Sequence, residues 1–149
     1  MIRALQGKTL VTAESCTGGG IGAALTSVSG SSAVFKGGII SYTNEVKNQI
    51  LGVDADLLKE KGAVSAPVAE AMAKGARERL HADVAVSVTG LAGPGGDDYG
   101  NPVGTVYIGY SDERKTLSRH FLFSGDRDAV RNQTIYAALK WLLKLVTDE

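Results

Sequence analysis

Residues 9–20 carry the stretch that decides the fold, Thr9-Leu10-Val11-Thr12-Ala13-Glu14-Ser15-Cys16-Thr17-Gly18-Gly19-Gly20. Its first part is apolar and β-branched and predicts a buried strand. The glycines then lead into a second apolar run that predicts a helix. A strand that turns into a helix through hydroxyls and glycines presents backbone N–H groups that suit a phosphate or an oxyanion. Ser15, Cys16 and Thr17 compete here as nucleophiles, and the sequence leaves that choice open.

Composition narrows the class of protein. The chain has 149 residues, of which 44% are hydrophobic and 19 are glycine, and its 16 acidic residues balance 16 basic ones. This length fits a single domain spanning residues 1–149 with a proper core. Without a basic stripe or a long apolar run we expect no nucleic-acid partner and no membrane span. A single cysteine is typical of a protein of the reducing cytoplasm. Since the histidines and the cysteine do not have the spacing of metal ligands, we expect no bound metal.

Working outward from residue 20, the pattern alternates helices and strands. We predict strands over 8–13, 34–43, 82–88, 102–110 and 115–123, with the last two forming a hairpin. We predict five helices. Two span residues 18–29 and 54–61, and the others begin after caps at Asn44, Ser65 and Asp126. In the helix after Asn44, we expect Val46, Ile50 and Leu51 to face inward. The glycine pair inside the second strand indicates a bulge or a close backbone approach. The order predicts an α/β domain with helices covering a mixed sheet.

Polar side chains follow three of the predicted strands. They are Ser15 with Thr17, Tyr42, and Thr89, and the last is followed by the glycines Gly90 and Gly93, which we also assign to the site. Ligands of open α/β sheets bind beyond the carboxyl ends of strands, so this convergence predicts a site. The alternative is that the glycines only make turns.

Lysine is the candidate activator, because His81 and His120 lie at positions typical of structural histidines. Lys47 is predicted in the first helical turn after Asn44, where the helix dipole disfavours a positive charge. A lowered pKa would let the neutral amine take a proton from serine, as in Ser-Lys hydrolases. The alternative is a solvated surface lysine.

Arg127 and Arg131 share a helix face, and Arg131 could bind a phosphate. The alternative is that the two arginines form surface ion pairs with Asp126 and Asp128.

The chain resembles the CinA C-terminal domain family, which includes stand-alone PncC-like members. The resemblance covers nearly the whole chain and is carried by residues 12–19, 38–42 with 44–47, 62–65, 87–94, 101–106 and 123–127. It implies a single-domain, three-layer α/β/α sandwich. It also implies hydrolysis of the carboxamide of nicotinamide mononucleotide to nicotinic acid mononucleotide and ammonia, in pyridine nucleotide salvage, without a cofactor.

In this interpretation Ser15 attacks the carboxamide, and Lys47, aided by Tyr42, moves the proton. Backbone N–H groups around Thr17, Gly18 and Gly19 stabilise the oxyanion or bind the phosphate, and Thr89 touches the nucleotide. The rival hypothesis is a catalytically inactive, nucleotide-binding regulatory module. Family members usually carry a longer helix before the first strand than the seven or so residues here, so we expect a homo-oligomer in which a neighbouring subunit covers apolar surface.

Overall fold

The computed structural model describes residues 1–148 and consists of one five-stranded mixed sheet between two layers of helices. The strands are β1 (Leu10–Glu14), β2 (Phe35–Ile40), β3 (Val84–Gly90), β4 (Thr105–Ser111) and β5 (Thr116–Leu122). The helices are α1 (Gly20–Thr26), α2 (Asn44–Gln49), α3 (Ala55–Lys61), α4 (Ala66–Arg79) and α5 (Arg127–Thr147). The predicted α/β/α architecture is thereby confirmed.

The sheet order is β2-β1-β3-β4-β5, with β1, β2 and β3 parallel and the β4–β5 hairpin antiparallel. The chain passes from β1 outward to β2, then crosses back over β1 to β3. The carboxyl ends of β1 and β3 therefore flank the point where the direction of winding reverses, which is where open α/β sheets bind ligands.

Two apolar clusters fill the space on the two faces of the sheet. One joins α1 and α5 to side chains such as Val86 and Ile108, and the other joins α3 and α4 to side chains such as Ala85. A turn at Arg3–Leu5 buries Ile2 and Leu5 in the first cluster. Both faces are thus covered within one chain, so the oligomer stays a prediction that this packing does not require.

The predicted boundaries change where backbone conformation is decisive. The first helix begins at Gly20 instead of residue 18, because Gly18 and Gly19 adopt φ of +58° and +99°, which a helix does not admit. The glycine pair of the second strand behaves as predicted. The register shifts between Leu10 and Val11, and a Cβ on Gly38 would collide with Thr12 Oγ1.

The second helix is capped by Thr43, not by Asn44 as predicted. Thr43 Oγ1 accepts a hydrogen bond from Val46 N at 3.3 Å, and Asn44 is the first helical residue. Ile50, predicted to face inward, is 47% exposed, and Lys47 is the buried residue of the helix.

Candidate active site

The carboxyl ends of the three parallel strands meet at a cleft of about 300 Å³. Ser15 follows β1, Tyr42 and Lys47 follow β2, and Thr89 and Gly90 end β3, and all five line the cleft. The convergence predicted from three strand ends therefore exists in the fold. It arises because parallel strands present all their carboxyl ends at one edge of the sheet.

Ser15 and Lys47 form a buried pair at the base of this cleft. Lys47 Nζ lies 3.1 Å from Ser15 Oγ, and only 1% of the lysine and 7% of the serine are exposed. Nζ also donates to the Ser41 carbonyl at 2.7 Å, which fixes the end of the long side chain. A hydroxyl and an amine in direct hydrogen-bond contact have the geometry of a nucleophile with its base.

The chemistry of Lys47 depends on burial. Removal of the ammonium from water lowers the pKa of Lys47 from 10.5 to about 8. The direction agrees with the sequence-based expectation, but the cause differs. Lys47 lies one full turn inside α2, and desolvation rather than the helix dipole disfavours its charge.

Cys16, the neighbouring candidate nucleophile, lies in a setting that keeps its thiol protonated. Burial raises the pKa of Cys16 from 9.0 to about 11, and 5% of the residue is exposed. The thiolate is the reactive form of cysteine, so this thiol is a weak nucleophile near neutral pH. The contrast with the serine beside Lys47 favours Ser15.

Glu14 occupies the start of α1, a role that the sequence analysis did not assign. Its buried carboxylate accepts hydrogen bonds from Ile21 N at 2.8 Å, Gly22 N at 3.0 Å and Thr17 Oγ1 at 2.6 Å. A negative charge belonging to the chain thus fills the position that an external phosphate would take.

This arrangement alters the predicted role of the glycine turn. The N–H groups of Gly18 and Gly20 donate to Ser15 O and Thr17 O at 3.0 Å each. Thr17 is fully buried against Glu14, and neither Gly18 nor Gly19 lines the cleft. The described contacts therefore use this turn to hold Ser15 in place, and a role of its N–H groups in binding a phosphate or an oxyanion stays a prediction.

Other predicted residues do line the cleft. Gly90 and Gly93 form part of its wall, and Thr89 donates through its hydroxyl to Ala63 O at 2.8 Å. Tyr42 is 59% exposed at the rim. Its backbone carbonyl lies 3.5 Å from Lys47 Nζ, whereas its hydroxyl accepts a hydrogen bond from Arg127.

The two arginines of α5 lie in different environments, and the one predicted to bind a phosphate, Arg131, is outside the cleft. Arg131 donates to Cys16 O at 3.0 Å and Thr17 O at 3.3 Å and so stabilises the loop that follows Ser15. Arg127 is the arginine that lines the cleft, where it donates to Gly93 O at 2.6 Å. The sequence signal was present, since both residues share a face, but only the fold shows which one meets the cleft.

A larger groove of about 660 Å³ runs between β5 and α5 and contains none of the predicted site residues. It is lined mainly by aromatic and basic side chains, among them Phe121, Tyr136 and Lys140. We place the candidate site in the smaller cleft because the buried contact between Ser15 and Lys47 lies there. Within residues 1–148, no three His, Cys, Asp or Glu side chains are grouped to hold a metal ion, and no helix could cross a bilayer.

Comparison with known proteins identifies the relatives of this chain. The family model described as CinA C-terminal domain matches residues 2–146. A CinA-like protein of Geotalea daltonii is 53% identical over 136 residues, which are 91% of this chain and 33% of that protein. The chain thus spans about a third of the length of the curated CinA-like relatives that it matches. The nicotinamide-nucleotide amidohydrolase PncC of Pseudomonas putida is 49% identical over 93% of this chain and 87% of its own length.

Solved structures agree with these sequence matches. A competence-damaged protein (CinA) superfamily protein from Klebsiella pneumoniae superimposes with a TM-score of 0.95 at 34% identity, covering 99% of this chain and 93% of that one. A competence/damage-inducible protein from Agrobacterium tumefaciens gives a TM-score of 0.92 at 41% identity, covering 97% and 90% of the two chains.

Proposed function

The chain belongs to the CinA C-terminal domain family, and we propose that it is an amidohydrolase that cleaves the carboxamide of nicotinamide mononucleotide. The observation that carries the proposal is the buried contact of 3.1 Å between Lys47 Nζ and Ser15 Oγ. The activity named for the Pseudomonas putida relative supports the choice of substrate, because that protein aligns over most of its length.

In the first half-reaction, neutral Lys47 takes the proton of the Ser15 hydroxyl while Oγ attacks the carboxamide carbon. The carbonyl π electrons move onto oxygen and form a tetrahedral intermediate. Collapse of that intermediate breaks the C–N bond, and the Lys47 ammonium returns its proton to the departing amide nitrogen. Ammonia leaves, and the nicotinoyl group remains as an ester on Ser15.

In the second half-reaction, Lys47 takes a proton from water, and the hydroxide adds to the ester carbon. The intermediate collapses with cleavage of the bond to Ser15 Oγ, and the serine recovers its proton from Lys47. The product is nicotinic acid mononucleotide. The lowered pKa of Lys47, about 8, supports this role because it leaves about a tenth of the amine neutral at pH 7.

The decisive experiment measures ammonia and nicotinic acid mononucleotide released from nicotinamide mononucleotide by the purified protein, at equal stoichiometry. Ser15→Ala serves as the inactive comparison, with its fold checked by circular dichroism. Release by wild type but not by Ser15→Ala would support the proposal. Tight binding of nicotinamide mononucleotide without any ammonia release would instead identify the chain as a nucleotide-binding regulatory module.

A further inference from the structure

Tyr42 has a different environment from the one that a proton-transfer role requires. Its ring is 59% exposed at the rim of the cleft, and its hydroxyl accepts a hydrogen bond from Arg127 Nη2 at 3.0 Å. Only its backbone carbonyl approaches Lys47, at 3.5 Å from Nζ. The side-chain hydroxyl is thus directed toward α5, whereas the proton transfer takes place at the base of the cleft.

Arg127 joins Tyr42 to the opposite wall. Besides the tyrosine hydroxyl it donates to the carbonyl of Gly93 at 2.6 Å, and its side chain is exposed. A guanidinium carries five N–H donors, so these two bonds leave three for a ligand. Arg131 is less available to a ligand, because its side chain is partly buried and donates to the carbonyls of Cys16 and Thr17.

We propose that Tyr42 and Arg127 form a recognition pair at the rim, in which the Tyr42 ring binds the cationic pyridinium ring and Arg127 binds the phosphate. The inference rests on the proposed function and adds how the enzyme distinguishes its substrate. The face of an aromatic ring carries partial negative charge and attracts a cation. A guanidinium matches a phosphate through two parallel hydrogen bonds. The bond between the two side chains holds the ring in a fixed orientation above the cleft.

Under this proposal Tyr42 is a substrate-binding residue, and its hydroxyl takes no part in proton transfer. Tyr42→Phe keeps the ring but removes the hydroxyl that accepts a hydrogen bond from Arg127, so its effect should fall on KM more than on kcat. Tyr42→Leu removes the ring. A fall in kcat of a hundredfold or more in Tyr42→Phe, with unchanged substrate affinity, would place the hydroxyl in the proton path and overturn the proposal.

Binding without turnover separates the two halves of the pair. We would measure dissociation constants by calorimetry in a Ser15→Ala background with three ligands: nicotinamide mononucleotide, nicotinamide riboside, which lacks the phosphate, and reduced nicotinamide mononucleotide, whose ring is uncharged. Tyr42→Leu should weaken the first two by about threefold to thirtyfold, the range of a cation–π contact, and the reduced nucleotide much less.

Arg127→Gln should weaken both phosphorylated ligands by about ten- to a hundredfold, the range for loss of a charge-assisted hydrogen bond, and the riboside by less than about threefold. Tyr136→Leu is the matched control, because Tyr136 is an equally exposed tyrosine that lies in the groove of β5 and α5 instead of the cleft. It should change no dissociation constant.

Two results would overturn the proposal: equal weakening of the charged and uncharged rings by Tyr42→Leu, or equal weakening of the riboside and the mononucleotide by Arg127→Gln. Failure of the proposed function has a separate signature. Wild type would then release no ammonia from nicotinamide mononucleotide, while the binding comparisons would still report which groups the rim recognises.

Discussion

Replacement of Lys47 by methionine should abolish hydrolysis and at the same time stabilise the protein at neutral pH. Methionine is similar in volume to lysine and removes a charge from a position that is 1% exposed. Under the proposed function, this lysine serves catalysis at the expense of stability. The size of the effect follows from the pKa of Lys47, which burial lowers from 10.5 to about 8.

A shift of this size corresponds to about 3 kcal/mol between the charged and neutral forms in the folded state. Methionine also loses the hydrogen bonds from Nζ to Ser41 O and Ser15 Oγ, each of which contributes about 1 kcal/mol. The net expectation is a gain of about 1–2 kcal/mol in the free energy of unfolding at pH 7.

The sign of the pH dependence is fixed by linkage. Between the folded pKa and the unfolded pKa of Lys47, the unfolded chain binds more protons, so the stability of wild type rises as the pH increases through this range. Methionine has no proton to lose. The advantage of Lys47→Met should therefore shrink by about 2 kcal/mol between pH 7 and pH 9.5 and approach zero or reverse there.

Urea unfolding of both proteins at pH 7, 8.5 and 9.5 measures this difference, because groups common to both cancel. Lys36→Met, at an exposed lysine outside the cleft, is the matched control and should show a difference that does not vary with pH. The reasoning would be refuted if Lys47→Met were less stable than wild type at pH 7, or if its stability difference stayed constant up to pH 9.5.

Four further predictions concern the nucleophile, the base, the stability of α1 and the assembly of the chain. Ser15→Ala should lower ammonia release by orders of magnitude while Cys16→Ala keeps substantial activity; the reverse result would make the thiol the nucleophile. The rate should rise about tenfold per pH unit below the pKa of Lys47 near 8 and level off above it, and Lys47→Arg should be inactive; near wild-type turnover in that variant would remove Lys47 from the mechanism. Glu14→Gln should lower the free energy of unfolding by about 2–3 kcal/mol in urea titrations, because charge-assisted bonds to Thr17 Oγ1 and the start of α1 are lost, and an unchanged midpoint would contradict this. Light scattering at micromolar concentration should show a homo-oligomer, with a dimer as the default; a fully active monomer would remove that expectation.

Local sequence determined most of the elements of secondary structure. The apolar run before Glu14, the β4–β5 hairpin and the Asp126 cap, whose carboxylate accepts from Ala129 N at 2.9 Å, were all predicted from neighbouring residues. These features depend on contacts within a few positions along the chain. The convergence of three strand ends was also predictable, because strand direction follows from the order of strands and helices.

The prediction for α2 was wrong at its cap and at one residue expected to face inward. Thr43 rather than Asn44 caps α2, Ile50 is exposed, and Lys47 is buried. Both residues are good capping types, so local preference alone could not decide between them. The contacts that fix Lys47 are tertiary, because its amine reaches the Ser15 hydroxyl and the Ser41 carbonyl.

The partners of the charged residues Glu14 and Arg131 were decided only by tertiary structure. The sequence predicted that the start of α1 and Arg131 could bind a phosphate. In the fold, the N–H groups at the start of α1 donate to Glu14, and Arg131 donates to carbonyls of the loop before α1. Arg131 and Cys16 lie 115 positions apart in the chain, and no periodicity links them. The residue types and their order along the chain thus determined which groups are available for catalysis. Desolvation and long-range hydrogen bonds, which exist only once the sheet and its helices have packed, determined the lowered pKa of Lys47 and the exposure of Arg127 at the cleft.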